Sequence, residues 1–206
     1  QVILTCDAQA ISEREMAEQM VGAMTVPQRP PGAADAAVAL QVADLRVRAN
    51  GGVPALEGVS FAVRAGEIFG IAGVDGNGQE ELFEVLVGLR CPAVGAIQVA
   101  GQPITTFTPA AALAAGIAHI PPDRQRDGLV LPMSVQENLL LSRPILDRVS
   151  RRGLMQRGAA AQFADDLVRR YRIRAAGPDA PVASLSGGNQ QRVVVARELA
   201  QQPKVL

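Results

Sequence analysis

Two short stretches carry residue types able to hold phosphate. The first, Gly73-Val74-Asp75-Gly76-Asn77-Gly78-Gln79-Glu80, keeps the glycines of a G-x-x-x-x-G-K-[ST] loop as Gly73, Gly76 and Gly78. Glycines let a backbone turn tightly and aim successive N–H groups into one concavity, and a helix that follows adds its positive end. A phosphate chain can be held this way without side chains. Gln79, however, stands at the lysine position and Glu80 at the Ser/Thr position that holds magnesium. Losing a cation about 4 Å from phosphate forfeits up to about 4 kcal/mol at an effective dielectric near 20, before solvent and magnesium screen it. Weak or non-hydrolytic nucleotide binding is the expectation here, and a glycine turn without a ligand is the plain alternative.

The second stretch is Leu185-Ser186-Gly187-Gly188-Asn189-Gln190-Gln191-Arg192. Ser186 brings a hydroxyl, Gly187 and Gly188 permit close backbone approach, and the start of a helix offers unpaired N–H groups to negative charge. Its bland alternative is an ordinary serine-capped helix.

These stretches need elements to position them. Residues 67–73 (Ile68, Phe69, Ile71, Ala72) form a continuous apolar run, as expected of a strand covered on both faces of an α/β sheet. Residues 79–89 repeat Leu82, Phe83, Leu86 and Leu89 at helical spacing, giving the order strand, glycine turn, helix. Upstream, residues 38–48 and 59–64 alternate apolar and polar, the pattern of an antiparallel pair. Downstream, residues 96–100 read as a strand, and Thr108 with Pro109 opens a helix that Gly116 stops. Residues 117–120 read as a short buried strand, and Ser134 with Glu137 has capping-box spacing. A helix over 158–171 carries Phe163, Leu167, Val168 and Tyr171 inward, with Arg169, Arg170 and Arg172 on a wet face. A helix over 186–200 follows the second stretch, and residues 204–206 read as a strand beginning.

Composition narrows the function classes. Of 206 residues, 48% are hydrophobic, enough for one sizeable core. Lys+Arg and Asp+Glu each number 20, so no basic footprint of a nucleic-acid binder is present and nucleic acid is not an expected partner. No run approaches the roughly 18 apolar residues of a membrane span, so membrane contact is expected only through a partner. The first residues lack the pattern of a secretory signal, which makes the cytoplasm the expectation. Cys6 and Cys91 lack CxxC spacing and His119 is the single histidine, so neither a metal site nor a disulfide is expected, and His119 receives no role. Residues 11–22 read as a helix with Ser12 and Glu15 in a capping box, and the Pro-rich residues 27–37 as a linker.

The stretch LSGGNQQ, from Leu185 to Gln191, resembles the LSGGQ signature of ABC ATPases in the extended form found in sugar and nucleoside importers. Gly70-Ile71-Ala72-Gly73-Val74-Asp75-Gly76-Asn77-Gly78-Gln79, Asp123-Arg124-Gln125-Arg126-Asp127-Gly128-Leu129-Val130 and Val195-Ala196-Arg197-Glu198-Leu199 are similar to second-half sequences of those tandem subunits. The resemblance implies an α/β P-loop NTPase core: a RecA-like sheet with an antiparallel β subdomain and a helical signature subdomain over about 129–190. It also implies that residues 1–26 are the tail of a first half, 27–37 the linker and 38–206 an incomplete second half, ending before Walker B.

By the same resemblance, residues 73–80 are a degenerate Walker A, with Gly73, Asp75, Gly76, Asn77, Gly78, Gln79 and Glu80 as nucleotide contacts. Pro122 and Asp123 fall at the Q-loop, where the family carries a carboxylate at the Pro122 position; proline cannot ligate magnesium, so coupling through this loop is in doubt. No aromatic stands between Arg48 and Leu56 to stack on adenine. The Walker B acid, D-loop and switch histidine would lie beyond Leu206, so no catalytic residue and no metal ligand is assigned within this chain. ATP and Mg2+ are the implied cofactors. The implied partners are the first half of the same subunit, transmembrane permease subunits and, indirectly, a substrate-binding protein, at the cytoplasmic face of the plasma membrane. A non-catalytic regulatory module and a soluble ABC protein of repair or translation are the competing readings.

Overall fold

The computed structural model describes residues 36–48, 52–74 and 76–206. The helix expected over 11–22, Cys6, nearly all of the expected linker and Asp75 lie outside the described residues.

A four-stranded antiparallel sheet forms first in the chain. β1 (Val38–Arg48) pairs with β2 (Pro54–Arg64) on one side and β3 (Val94–Val99) on the other, and the short β4 (Gln102–Pro103) extends β3. The alternation in β1 changes phase: Leu40 and Val42 are buried, and the next inward residues are Leu45 and Val47. A bulge absorbs the extra residue. It centres on Asp44, at φ 45°, whose N–H donates to Ser60 Oγ at 2.8 Å. Gly95 makes room for it, since a β-carbon there would lie 2.7 Å from the Asp44 carbonyl oxygen.

The inward face of this sheet is covered by α1 (Gln79–Leu86) and α2 (Pro109–Ala115), with Leu82, Val85 and Ala112 joining Leu40, Val42, Leu45, Val47, Ile97 and Val99 in one core. Each fully buried Val or Leu contributes on the order of 1.5–3 kcal/mol. Thr108 caps α2 by accepting from the Ala111 N–H, Pro109 follows it, and Gly116 ends the helix at φ 96°.

The second part is helical. α3 (Val135–Leu140), α4 (Arg143–Arg148), α5 (Arg157–Arg170) and α6 (Gly187–Ala200) enclose Val135, Leu139, Leu167, Val182, Val193 and Val194, all at most 5% exposed. A two-stranded hairpin, β5 (Ser150–Arg151) and β6 (Leu154–Met155), connects α4 to α5. Ser134 and Glu137 form the expected capping box on α3. Asn138 is fully buried and fully satisfied: its Nδ2 donates to the carbonyls of Val130, Met133 and Ser134, and its Oδ1 accepts from the Val130 N–H. It therefore fixes the chain that enters α3.

Two expectations need correcting. Residues 67–73 form no strand, and they are exposed, Ile68 at 81% and Ile71 at 51%. A strand buried on both faces needs neighbours on both edges, and no described residue pairs with this segment; Phe69 instead stacks on Phe61 at 5.0 Å. Residues 117–120 and 204–206 likewise amount to a single parallel bridge, Ile117 to Val205. An apolar cleft of about 660 Å³ lies between these segments and β2. His119 packs edge-on to Phe83 at 5.6 Å.

Candidate functional site

In the glycine-rich segment 73–80, described apart from Asp75, the chain turns tightly before α1. Gly76 and Gly78 adopt φ of 82° and 92°, and a β-carbon on Gly78 would meet the Ala55 carbonyl oxygen at 2.5 Å, so only glycine lets the loop seat against β2. Asn77 closes the turn by donating its N–H to the Val74 carbonyl at 3.2 Å.

The residue that replaces the lysine then changes what the loop can do. Gln79 folds its carboxamide back, donating from Nε2 to the Val74 carbonyl at 3.1 Å, and that nitrogen occupies the place where a β-carbon on Gly73 would sit. The space beside Gly73 is thus filled by the chain's own amide. Glu80 and Glu81 lie in the first turn of α1, where they favour the helix through its dipole but oppose phosphate at the same positive end. Among the described residues no group of three acidic, His or Cys side chains can hold a metal ion.

The signature is arranged differently. Ser186 is the N-cap residue of α6, in extended conformation, yet its hydroxyl caps no backbone N–H of its own helix. Its Oγ accepts from Asn189 Nδ2 at 3.0 Å, and among the described residues the hydroxyl donates to no acceptor. The backbone carbonyl of Ser186 accepts from the N–H groups of Asn189 and Gln190. The N–H groups of Gly187 and Gly188 have no acceptor among the described residues, as the first turn of a helix dictates. Gly188 is exposed, and a β-carbon there would touch nothing within 4 Å. The first turn of α6 contains no acidic residue.

The other signature residues face inward and build the frame. Leu185 and Gln190 are buried. Gln190 donates from Nε2 to the Val182 carbonyl at 3.3 Å, and Asn189 Oδ1 accepts from the Arg174 N–H at 2.9 Å. Gln191 is half-buried. Ser186, Gly187 and Gly188 are left as the face that can meet an anion.

The segment at the Q-loop position packs directly on this helix. Asp123, next to the exposed Pro122, accepts at Oδ1 from the N–H groups of Gln125 and Arg126, and so caps a π-helical turn, Arg124–Gly128. Gln125 Nε2 donates to Gln190 Oε1 at 2.9 Å, and Gly128 brings the turn against Val194, 3.2 Å from where its β-carbon would be. Sequence reasoning assigned nothing to Arg124 and Gln125; the π-turn that aims them has no periodic signal. Elsewhere the carboxyl of Glu137 is held below its ordinary range, chiefly by the Ser134 N–H that donates to it. The phosphate loop and the signature form separate sites, since the cleft beside the loop, lined by residues such as Gly73, Gly78 and Glu80, takes no residue from the signature.

A glycine loop feeding a helix, an antiparallel sheet beside it and a signature opening the last helix of a helical part define an ATP-binding cassette. Residues 56–206 match the ABC transporter family, and the chain belongs to that family. It is 40% identical over 197 residues to the ribose import ATP-binding protein RbsA 1 of Rhizobium johnstonii, covering 95% of this chain and 38% of that protein. It is 37% identical to the nucleoside import ATP-binding protein NupA of Lactococcus lactis subsp. cremoris, over 95% of this chain and 39% of the relative. The guanosine import ATP-binding protein NupO of Bacillus subtilis is 36% identical, over 99% of this chain and 40% of the relative. The chain thus spans about two fifths of the length of these curated relatives.

Among solved structures it superposes on cbiO1 from Clostridium perfringens, part of the ABC transporter complex cbiONQ, with a TM-score of 0.60 and 25% identity, over 81% of this chain and 62% of that one. The fold also matches the ATP-binding cassette MJ0796 in a dimeric post-hydrolysis state bound to ADP and Pi, with a TM-score of 0.62 at 22% identity, over 80% and 70% of the two chains. Among the described residues no helix is long and apolar enough to cross a membrane.

Proposed function

We propose that this chain is the signature-donating half of an ATP-binding subunit that powers import of a sugar or nucleoside. One observation carries the reading: the donor capacity of the Ser186 hydroxyl and the N–H groups of Gly187 and Gly188 are unspent among the described residues, while Gln79 folds back onto its own loop. In a head-to-tail pair each ATP lies between one half's phosphate loop and the other's signature. This chain then completes the site whose lysine and magnesium ligands come from the other half, and Mg2+ arrives there with ATP. Binding closes the pair and hydrolysis reopens it, and permease subunits receive the motion at the cytoplasmic face of the membrane. The ribose, nucleoside and guanosine import named in the relatives supports the substrate class. Their greater length supports reading residues 1–26 as the tail of a first half and 27–37 as a linker.

Ser186→Arg in the complete subunit tests the assignment. It is expected to abolish ATP turnover and uptake, because a bulky cation fills the space meant for phosphate. Unchanged turnover and uptake sink the reading. The folded-back Gln79 also favours a second one, a non-catalytic regulatory module; magnesium-ATP binding without turnover, and no gain when a competent first half is supplied, is its expected signature.

A further inference from the structure

Among the described residues, the side-chain cation that lies against the signature glycines is Arg124, and no carboxylate there pairs with it. Its Nη2 lies against Gly187, 2.6 Å from where a β-carbon would be, so the guanidinium sits in the space that the glycine leaves open. Its Nε is inaccessible to solvent and has no hydrogen-bond partner. The neighbouring acids are committed elsewhere: Asp123 caps the π-turn, and Asp127 pairs with Arg126 at 3.6 Å. The side chain is held in place by the turn itself, which Gln125 fastens to Gln190 and Gly128 seats on Val194.

This placement is electrostatically unfavourable in an empty site. The start of a helix carries positive partial charge and repels a cation, and a partly desolvated guanidinium without an acceptor adds to the cost. Both charges become favourable once an anion sits between them. A guanidinium suits a phosphoryl group because it is always charged and presents a planar fork of donors.

We infer that Arg124 is a phosphate-binding residue of the signature site, donating to the terminal phosphate of the triphosphate that the other half presents to Ser186, Gly187 and Gly188. The inference rests on the signature-donor reading and adds to it a ligand from outside the motif. It also gives the π-turn a role, because the turn rather than Pro122 carries the contact between this segment and nucleotide. The chain that lost a cation at Gln79 thus presents one at its other phosphate site.

The test uses the complete subunit assembled with its permease, with Arg124→Gln as the neutral variant and Arg124→Lys as the charge-retaining one. Arg124→Gln is expected to raise the KM for ATP roughly tenfold, the scale of one charge-assisted hydrogen bond. Affinity for ADP, which lacks the terminal phosphate, is expected to hold, and Arg124→Lys to recover most of the loss. Equal weakening of ATP and ADP, or a loss that tracks a fall in melting temperature and is not rescued by lysine, overturns the inference in favour of a packing role. An unchanged KM for ATP in Arg124→Gln, alongside an inactive Ser186→Arg, overturns it while leaving the signature reading intact. An active Ser186→Arg removes both.

Discussion

The phosphate loop and the signature are both glycine-rich turns that feed a helix, and they have opposite electrostatics. At the loop, Gln79 hydrogen-bonds back to Val74 and two glutamates occupy the first turn of α1. At the signature, the first turn of α6 is free of acids, the serine leaves its own helix uncapped, and a guanidinium lies alongside. The backbone dipole is common to the two. What separates them is whether nearby side chains consume the helix's positive end or leave it for a ligand. A glycine motif followed by a helix is therefore only half of an anion site; the first-turn residues decide the other half.

That contrast can be broken experimentally. The largest effect is expected from Gly188→Ala. Its β-carbon meets nothing in the protein, and alanine favours a helix, so stability should hold or rise slightly. Turnover of the complete subunit should nevertheless fall roughly a hundredfold, the scale of losing one preorganised donor to a developing charge. Unimpaired turnover would show that no ligand approaches this backbone. Next comes the double change Gln79→Lys with Glu80→Ser, which restores the missing cation and hydroxyl. Titration with magnesium-ATP is expected to show affinity at this loop rising about tenfold or more. No gain would place the defect in the loop backbone instead of in its charges.

The smallest effect concerns the frame that carries the signature. Ser134→Ala removes the cap of α3 and is expected to cost about 1 kcal/mol in urea unfolding, with little change at the phosphate loop. The companion carboxyl has a sign of its own. Glu137 is more acidic in the folded protein than its ordinary 4.5, so the unfolded chain binds the proton more readily. Its contribution is present above that value and disappears as pH falls through the lowered folded one. Glu137→Gln should flatten this part of the acid dependence; an identical acid slope in both proteins counts against the box.

Local chemistry made much of this legible from the residues. Thr108-Pro109, Gly116, the Ser134–Glu137 box and the start of α6 each depend on contacts within four residues, and each stands where the sequence placed it. The misreading of residues 67–73 has the opposite origin, since an apolar run becomes a strand only beside other strands. The bulge at Asp44 was written in the odd spacing from Val42 to Leu45, a signal that simple alternation overlooks. Arg124 and Gln125 were out of reach because their partners, Gly187 and Gln190, lie far along the chain, 65 residues away for the glutamine pair, and are brought near by a π-turn without a periodic pattern. Thus the backbone donors of the signature could be read in advance, and the cation beside them could not.

The bridge from Ile117 to Val205 makes the whole helical part an insertion between two neighbouring points of the sheet side. Closing so long a loop is entropically expensive, whereas the pairings inside the helical part, α3 on α5 and α3 on α6, close shorter loops. Assembly should therefore run from the helices outward, with the parallel pairing last to form. In hydrogen exchange, the amides of Ala118 and Val205 should lose protection before those of α6, marking the seam along which the chain opens first.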